Sequence, residues 1–179
     1  MQNVHLNEKR RAHGNAIAEM PGVLMVLFFM FVFPIINLGT TGLRWAMLAE
    51  AARDGAHAAA TSYTFQTGST GKPSAVAAAP VAVNQFVSKY SGITVNNIDV
   101  DILATDINTQ AVSRFENKLT TPANTQQYIY AMETTVTGSL EPLITYNAPF
   151  ILSVPGLTGP WTTTITAREF AESPQGLNE

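Results

Sequence analysis

One carboxylate, Glu19, stands at the head of an apolar run in which no further charge appears until Arg44. A charge in that position is disfavoured without a partner, so Glu19 is a candidate for a specific ion pair. Three cations precede it, Lys9, Arg10 and Arg11, and they stop just short of Gly14, five residues before the acid. The other candidates for chemistry are weaker. Asp99, Asp101 and Asp106 are the nearest approach to a metal cluster. Calcium takes roughly six to eight oxygens, and an EF-hand loop needs a glycine at its sixth position and a glutamate at its twelfth, which this stretch lacks. Those three aspartates are expected at solvated, outward positions of a strand. His57, beside Asp54 on an alanine-rich stretch, is expected on a helix surface, with Arg53, Asp54 and Glu50 as a surface charge group that contributes little.

Composition narrows the classes further. The chain has 179 residues, no cysteine, and a formal net charge of −3. Disulfides, thiolate metal sites and cysteine nucleophiles are thereby excluded. Two of the three histidines, His5 and His13, precede the apolar run, which argues against a multi-histidine metal site. The charge balance points to no nucleic-acid partner. No Gly-x-Gly-x-x-Gly, Walker A, His-Glu-x-x-His or Gly-x-Ser-x-Gly motif occurs. The sequence therefore predicts a protein that is not an enzyme and binds no cofactor. Charged residues make up 13% of the chain, against a usual ~25%. Thr, Asn, Gln and Ser fill the polar positions, a composition that suits an extracytoplasmic surface.

The element that must position Glu19 is a membrane segment. From Pro21 to Leu38 only Asn37 is strongly polar, and about 20 apolar residues span a bilayer core. The anchor is expected at about residues 20–40, after a basic leader over residues 1–14. Lys9, Arg10 and Arg11 on its N-terminal side predict a cytoplasmic N-terminus and a folded part outside. A cleaved secretory signal would have a shorter apolar core and a small-residue cleavage site beyond it. A plain uncleaved signal anchor is the other alternative. Pro34 removes a backbone donor inside the run and predicts a kink. It reads either as simple tolerance of proline in a membrane helix or as a point of bending during packing. Gly39 and Gly42 are expected to loosen the helix as it leaves the membrane. Beyond them, residues 43–60 are rich in Ala, Leu, Met, Arg and Glu, all strong helix formers. Residues 15–62 are thus expected to form one long, interrupted helix, about 70 Å at 1.5 Å per residue, hydrophobic and then amphipathic. Trp45 suits an interfacial anchor, Arg44 is expected to face water, and the alanines from Ala49 to Ala60 allow close approach of another element.

Gly14-Asn15-Ala16-Ile17-Ala18-Glu19-Met20, followed by an apolar run with an early proline, resembles the N-terminus of the TadE-like proteins of tight-adherence pilus systems. Ala51-Ala52-Arg53-Asp54-Gly55-Ala56-His57 is similar to the Ala-Ala-Arg-Glu-Gly-Ala-Arg stretch of the same family, and Arg168-Glu169 to its less specific C-terminal Arg-Glu pair. Two positions depart from the pattern: Met20 stands where Phe is usual, and Pro21-Gly22 comes early. The resemblance covers residues 10–60 well and the remainder in outline. It implies a minor pilin or pseudopilin of a type IV pilus or secretion filament in the bacterial inner membrane. It implies prepilin peptidase as a partner, cutting between Gly14 and Asn15, and other pilins and the assembly machinery as further partners. Glu19 would neutralise the new terminal amine of a neighbouring subunit. The rival reading is an uncleaved single-pass membrane protein whose outer domain is a binding or scaffold module.

The outer domain, residues 63–179, has a period of its own. Residues 66–75 read as a loop, and Pro80 to Tyr90 as a short helix with Val83, Phe86, Val87 and Tyr90 on one face. Three stretches then alternate with period two: 97–102, 128–136 and 161–168, rich in β-branched and aromatic residues. Residues 141–160 hold Pro142, Pro149, Pro155 and Pro160 and cannot form a regular central strand. They are too apolar for a free linker and are expected as an ordered loop or edge packed on the domain or near the membrane. The predicted class is α+β: a long N-terminal transmembrane helix continuing into an amphipathic helix, then a small antiparallel sheet with a short helix.

Overall fold

A computed structural model of the chain describes residues 19–68, 71–145 and 154–179. It is α+β, as expected: one long helix, one short helix and a four-stranded antiparallel sheet. Helix α1 runs unbroken from Glu19 to Ala60. From Glu19 to Phe31 it is exposed on every side. A single wide turn interrupts the regular winding over Phe28–Val32, where the Phe33 amide donates to the Phe28 carbonyl five residues back. The cause follows two residues later. Pro34 has no N–H to give, and in a regular helix its ring would meet the Met30 carbonyl, so the turn ahead of it widens. The expected disturbance at Pro34 takes this form, and the helix continues through Gly39 and Gly42.

The second half of α1 is a core element. Leu48, Ala51, Ala52, Gly55, Ala56, Ala59 and Ala60 are buried, a spacing that keeps one face of the helix inward. Helix α2, Ala75–Val87, lies beside it and buries Ala75, Ala79, Val83 and Val87. It begins before the expected Pro80 start, and Pro80 sits inside it. The Ala75–Ala79 stretch extends the helix backwards, and Ser74 in extended conformation precedes its first turn. Tyr90 falls beyond the helix end and is exposed.

Strands β1 (Ile93–Asp106), β2 (Val112–Phe115), β3 (Tyr128–Leu140) and β4 (Trp161–Phe170) pair in the order β2-β1-β3-β4. The three alternating stretches are β1, β3 and β4, each longer than its periodicity suggested. β2 was not expected: its four residues are all exposed and carry no alternation to reveal it. Both helices cover one face of the sheet. Val100, Ile102, Tyr130 and Met132 meet Phe65, Ala75 and Ala79 in one core cluster. Val136 and Leu140 meet Leu48, Val83 and Val87 in a second. The C-terminal 3-10 turn, Pro174–Asn178, buries Leu177 against the first cluster. Neither helix covers the sheet's other face, where Thr135 and Thr137 pair with Thr166 and Thr164 across β3 and β4.

Candidate functional site: the membrane exit of the long helix

Glu19 opens the described part of α1. It shares a face with Gly22, Val23, Val26, Leu27 and Phe31, an apolar surface carrying one acid. Among the described residues it forms no ion pair or hydrogen bond. Lys9, Arg10, Arg11, Gly14 and Asn15, expected to supply the leader charges and the cleavage site, lie outside the described residues. About 20 residues further on, three polar side chains follow at positions i, i+4 and i+7 on one side of the helix: Asn37, Thr41 and Arg44. All three reach back to the end of the folded domain. The Asn37 amide group donates to the Ile144 carbonyl at 3.0 Å and to the Leu157 carbonyl at 2.7 Å. Its oxygen accepts from the Ile144 amide at 3.1 Å. Asn37 is fully buried, with both donor hydrogens and its acceptor engaged. The Thr41 hydroxyl donates to the Gly156 carbonyl at 2.9 Å. Arg44 donates to the Ser91 carbonyl at 3.0 Å and to the Glu141 carbonyl. Gly92 beside it has φ +76°, and a Cβ there would fall inside the Arg44 guanidinium. Arg44 is thus engaged with the domain while remaining half-exposed to water, as expected of it.

This clasp fixes the β3–β4 connection against α1. Residues 141–145 and 154–160 of that connection are ordered on the helix, as its apolar composition suggested, whereas Pro149, Phe150, Ile151 and Leu152 lie outside the described residues. Sequence reasoning missed the clasp. The available signal was Asn37 itself, the one strong hydrogen-bonding group in the apolar run, which needs partners at that depth.

The stretch from Ala52 to Ala56 is a packing motif. Ala52, Gly55 and Ala56 are buried, and Arg53 and Asp54 point outward. A Cβ on Gly55 would lie 2.6 Å from Val83 Cγ2 and 3.1 Å from Thr134 Cγ2, so only glycine lets α1 approach α2 and β3 this closely. Arg53 pairs with Glu50 at 3.1 Å in the open, a surface contact as expected. His57 lies on the helix surface, as expected, and has a partner there. Its Nδ1 lies 2.8 Å from Glu169 Oε1 on β4. That hydrogen bond and the Glu169 charge raise the His57 pKa above its ordinary value.

The aspartates are not uniformly solvated. Asp99 is exposed, and Asp106 closes a turn by accepting from the Asn108 and Thr109 amides. The Thr109 and Asn108 hydrogen bonds hold the Asp106 carboxyl below its usual range. Asp101 departs from expectation. It is fully buried on the open face of the sheet, opposite Glu133, with Arg114 of β2 and Arg168 of β4 folded over the two acids. Arg114 donates from Nε to Asp101 Oδ2 at 2.8 Å and lies 3.0 Å from Glu133 Oε1, while Arg168 reaches Glu133 Oε2. Burial pushes the Asp101 carboxyl up, and the Arg114 hydrogen bonds oppose that push. The row runs plus, minus, minus, plus across four strands, so the two charges of each sign cancel within the sheet. Among the described residues no cluster of three metal-ligating side chains occurs.

One helix near the N-terminus is long and apolar enough to cross a membrane, and the C-terminal end of its apolar run is tied to the domain by Asn37, Thr41 and Arg44. Comparison with protein-family models, with curated proteins and with solved structures finds no match for this chain.

Proposed function

We propose that the chain is a TadE-like minor pilin or pseudopilin, a structural subunit of a bacterial adhesion pilus or secretion filament. In this reading the helix anchors it in the inner membrane, with the N-terminus in the cytoplasm and the sheet domain outside. The observation that carries the proposal is the layout around Glu19. A lone acid, without an ion pair among the described residues, heads an exposed apolar helix, five residues after a glycine that ends a basic leader. A plain anchor needs only apolar residues, and an acid there makes insertion less favourable without return. A subunit that must dock beside others in the bilayer gains from it, because a buried carboxylate accepts only a partner whose positive charge arrives in register. Cleavage after Gly14 would create that charge as a new terminal amine. The absence of catalytic motifs and the packing role of the Ala52–Ala56 stretch are compatible with a structural subunit.

The test is the N-terminus of the membrane-extracted protein. Sequencing should begin at Asn15, and Gly14→Leu should leave the precursor uncut, because its side chain bars the close backbone approach that glycine permits. A mature protein still beginning at Met1 would overturn the proposal in favour of an uncleaved single-pass protein with a binding or scaffold domain.

A further inference from the structure

We propose that the base of the sheet domain is itself a lipid-binding surface, a collar around α1 that seats in the headgroup layer of the bilayer the helix crosses. The inference rests on α1 spanning the membrane but not on cleavage or assembly. It begins with distance. At about 1.5 Å per residue, Asn37 lies about 27 Å along α1 from Glu19, and Thr41 about 33 Å. A hydrocarbon core of about 30 Å that begins at Glu19 therefore ends between these two residues. That is where the domain meets the helix: Ile144 and Leu157 bond Asn37, and Gly156 bonds Thr41. A Cβ on Gly156 would lie 3.4 Å from Thr41 Cγ2 and 3.7 Å from Trp161 Cβ, which puts Trp161 at the same level.

The surface at that level has the chemistry of an interface. Leu143, Ile144, Val154 and Trp161 are exposed by 56, 47, 42 and 37%. Trp45, the chain's other tryptophan, is exposed about one helical turn further along α1. Tryptophan at both sides of a helix exit is the residue that favours the headgroup boundary, with an apolar ring and one N–H. The backbone has also been prepared for a medium with little water. A loop meant for solvent can leave its carbonyls to water, but a loop at the edge of hydrocarbon must have them satisfied by protein. Here Asn37 and Thr41, side chains of the spanning helix, bond three carbonyls and one amide of the loop. On α1 itself, Ile36, Leu38 and Leu43, at the same level of the helix, are exposed as well. Exposed apolar side chains on both the helix and the domain, at the depth where the span ends, favour lipid over a second protein chain as their cover.

The experiment uses the full-length chain in phosphatidylcholine vesicles, with lipids brominated either near the glycerol or near the methyl end. Three single-tryptophan proteins are compared: Trp45→Phe, which retains Trp161; Trp161→Phe, which retains Trp45; and both replacements with Phe29→Trp, which reports the span. The tryptophan at position 29 should lose emission to the deep bromines. Trp161 should lose emission to the shallow bromines at least as strongly as Trp45, and should resist quenching by aqueous iodide. A span quenched by deep bromines with Trp161 open to iodide and insensitive to bromine would overturn the collar and leave the anchor standing. Trp161 shielded from both quenchers would also overturn it, because protein and not lipid would then cover that face. Failure of the deep bromines to quench position 29 would remove the span and the collar together.

Discussion

Gly55 is the residue at which sequence motif and packing meet most directly. Replacing it with alanine gains about 1 kcal/mol of helix propensity. The same methyl group would lie 2.6 Å from Val83 Cγ2, and Val83 is fully buried with a χ1 that has little freedom to move away. Overpacking of this kind costs about 1–3 kcal/mol, so the clash outweighs the propensity gain. Gly55→Ala should lower stability, and Gly55→Ala combined with Val83→Ala should recover most of the loss, as read by denaturant unfolding in detergent. An alanine variant as stable as wild type would mean that the helices separate without penalty. His57 supports a second prediction, on pH. Its folded-state pKa is raised, chiefly by the Glu169 hydrogen bond. The folded state therefore holds the proton more tightly than the unfolded chain does. The contribution is present in full below the unfolded value, about 6.5, and is lost as pH rises through the folded value. Thermal unfolding midpoints of wild type and Glu169→Gln should differ most at pH 5 and converge towards pH 8. A constant difference across that range would show that the pair contributes through neutral contacts alone.

At the scale of elements, α1 carries one stripe that changes character along its length. Phe33, Asn37, Thr41, Leu48, Ala52 and Gly55 are all buried, and through Asn37 the domain grips the helix about three turns beyond its own core. Asn37→Leu would preserve the apolar character of the helix but orphan two carbonyls and one amide of the β3–β4 connection. Unsatisfied buried groups cost about 1–3 kcal/mol each, and solvent can rescue part of that by local opening. The expected result is faster protease cleavage and amide exchange within residues 141–160, with protection of β3 unchanged, because Val136 and Leu140 stay packed on Leu48. Unchanged protection of that connection would show that the clasp is redundant. The contrast with what could be read from sequence is instructive. Period two marked β1, β3 and β4, since each has one face on the helices and one open. β2 escaped because both of its faces are exposed, and what holds it, its ladder to β1 and the Arg114 contacts with Asp101 and Glu133, joins residues distant in sequence. The expected start of α2 at Pro80 is too late because proline suits a first helical turn, whereas the alanines before it extend the helix. Asp101 was read as solvated because alternation identifies the open face of a sheet but cannot tell that Arg114 and Arg168, distant in sequence, fold over it. The same limit hid the Asn37 clasp, whose partners lie more than a hundred residues away.

For the whole molecule the decisive asymmetry is that α1 is core at one end and bare at the other. From Leu48 onward it is covered by α2 and the sheet, while from Glu19 to Phe31 no described part of the chain touches its flanks closely enough to bury them. If this helix crosses a membrane as proposed, its bare half is covered either by lipid or by the helices of other subunits, and Glu19 lets these be distinguished. A carboxylate near the end of a span costs less than the ~2.5–3.5 kcal/mol found at the centre, but it is still unfavourable without a partner. Glu19→Leu should therefore insert at least as well as wild type. In the proposed pilin reading, cleavage after Gly14 should persist, since the cut bond lies upstream of the changed side chain. Association should fail, because the neighbour's amine would be left buried without its counter-charge, and removing one partner of a buried pair costs about 3–5 kcal/mol. Glu19→Asp, with the charge retained on a shorter arm, should fall between the two. The measurement is cross-linking to other pilin subunits, or recovery in sheared filaments, taken together with the cleaved fraction. Loss of partner capture in a fully inserted, fully cleaved Glu19→Leu protein would assign the acid to assembly. Capture at the wild-type level would mean that the bare half of α1 meets its neighbours through apolar contacts alone, and that the acid at its head has no part in choosing them.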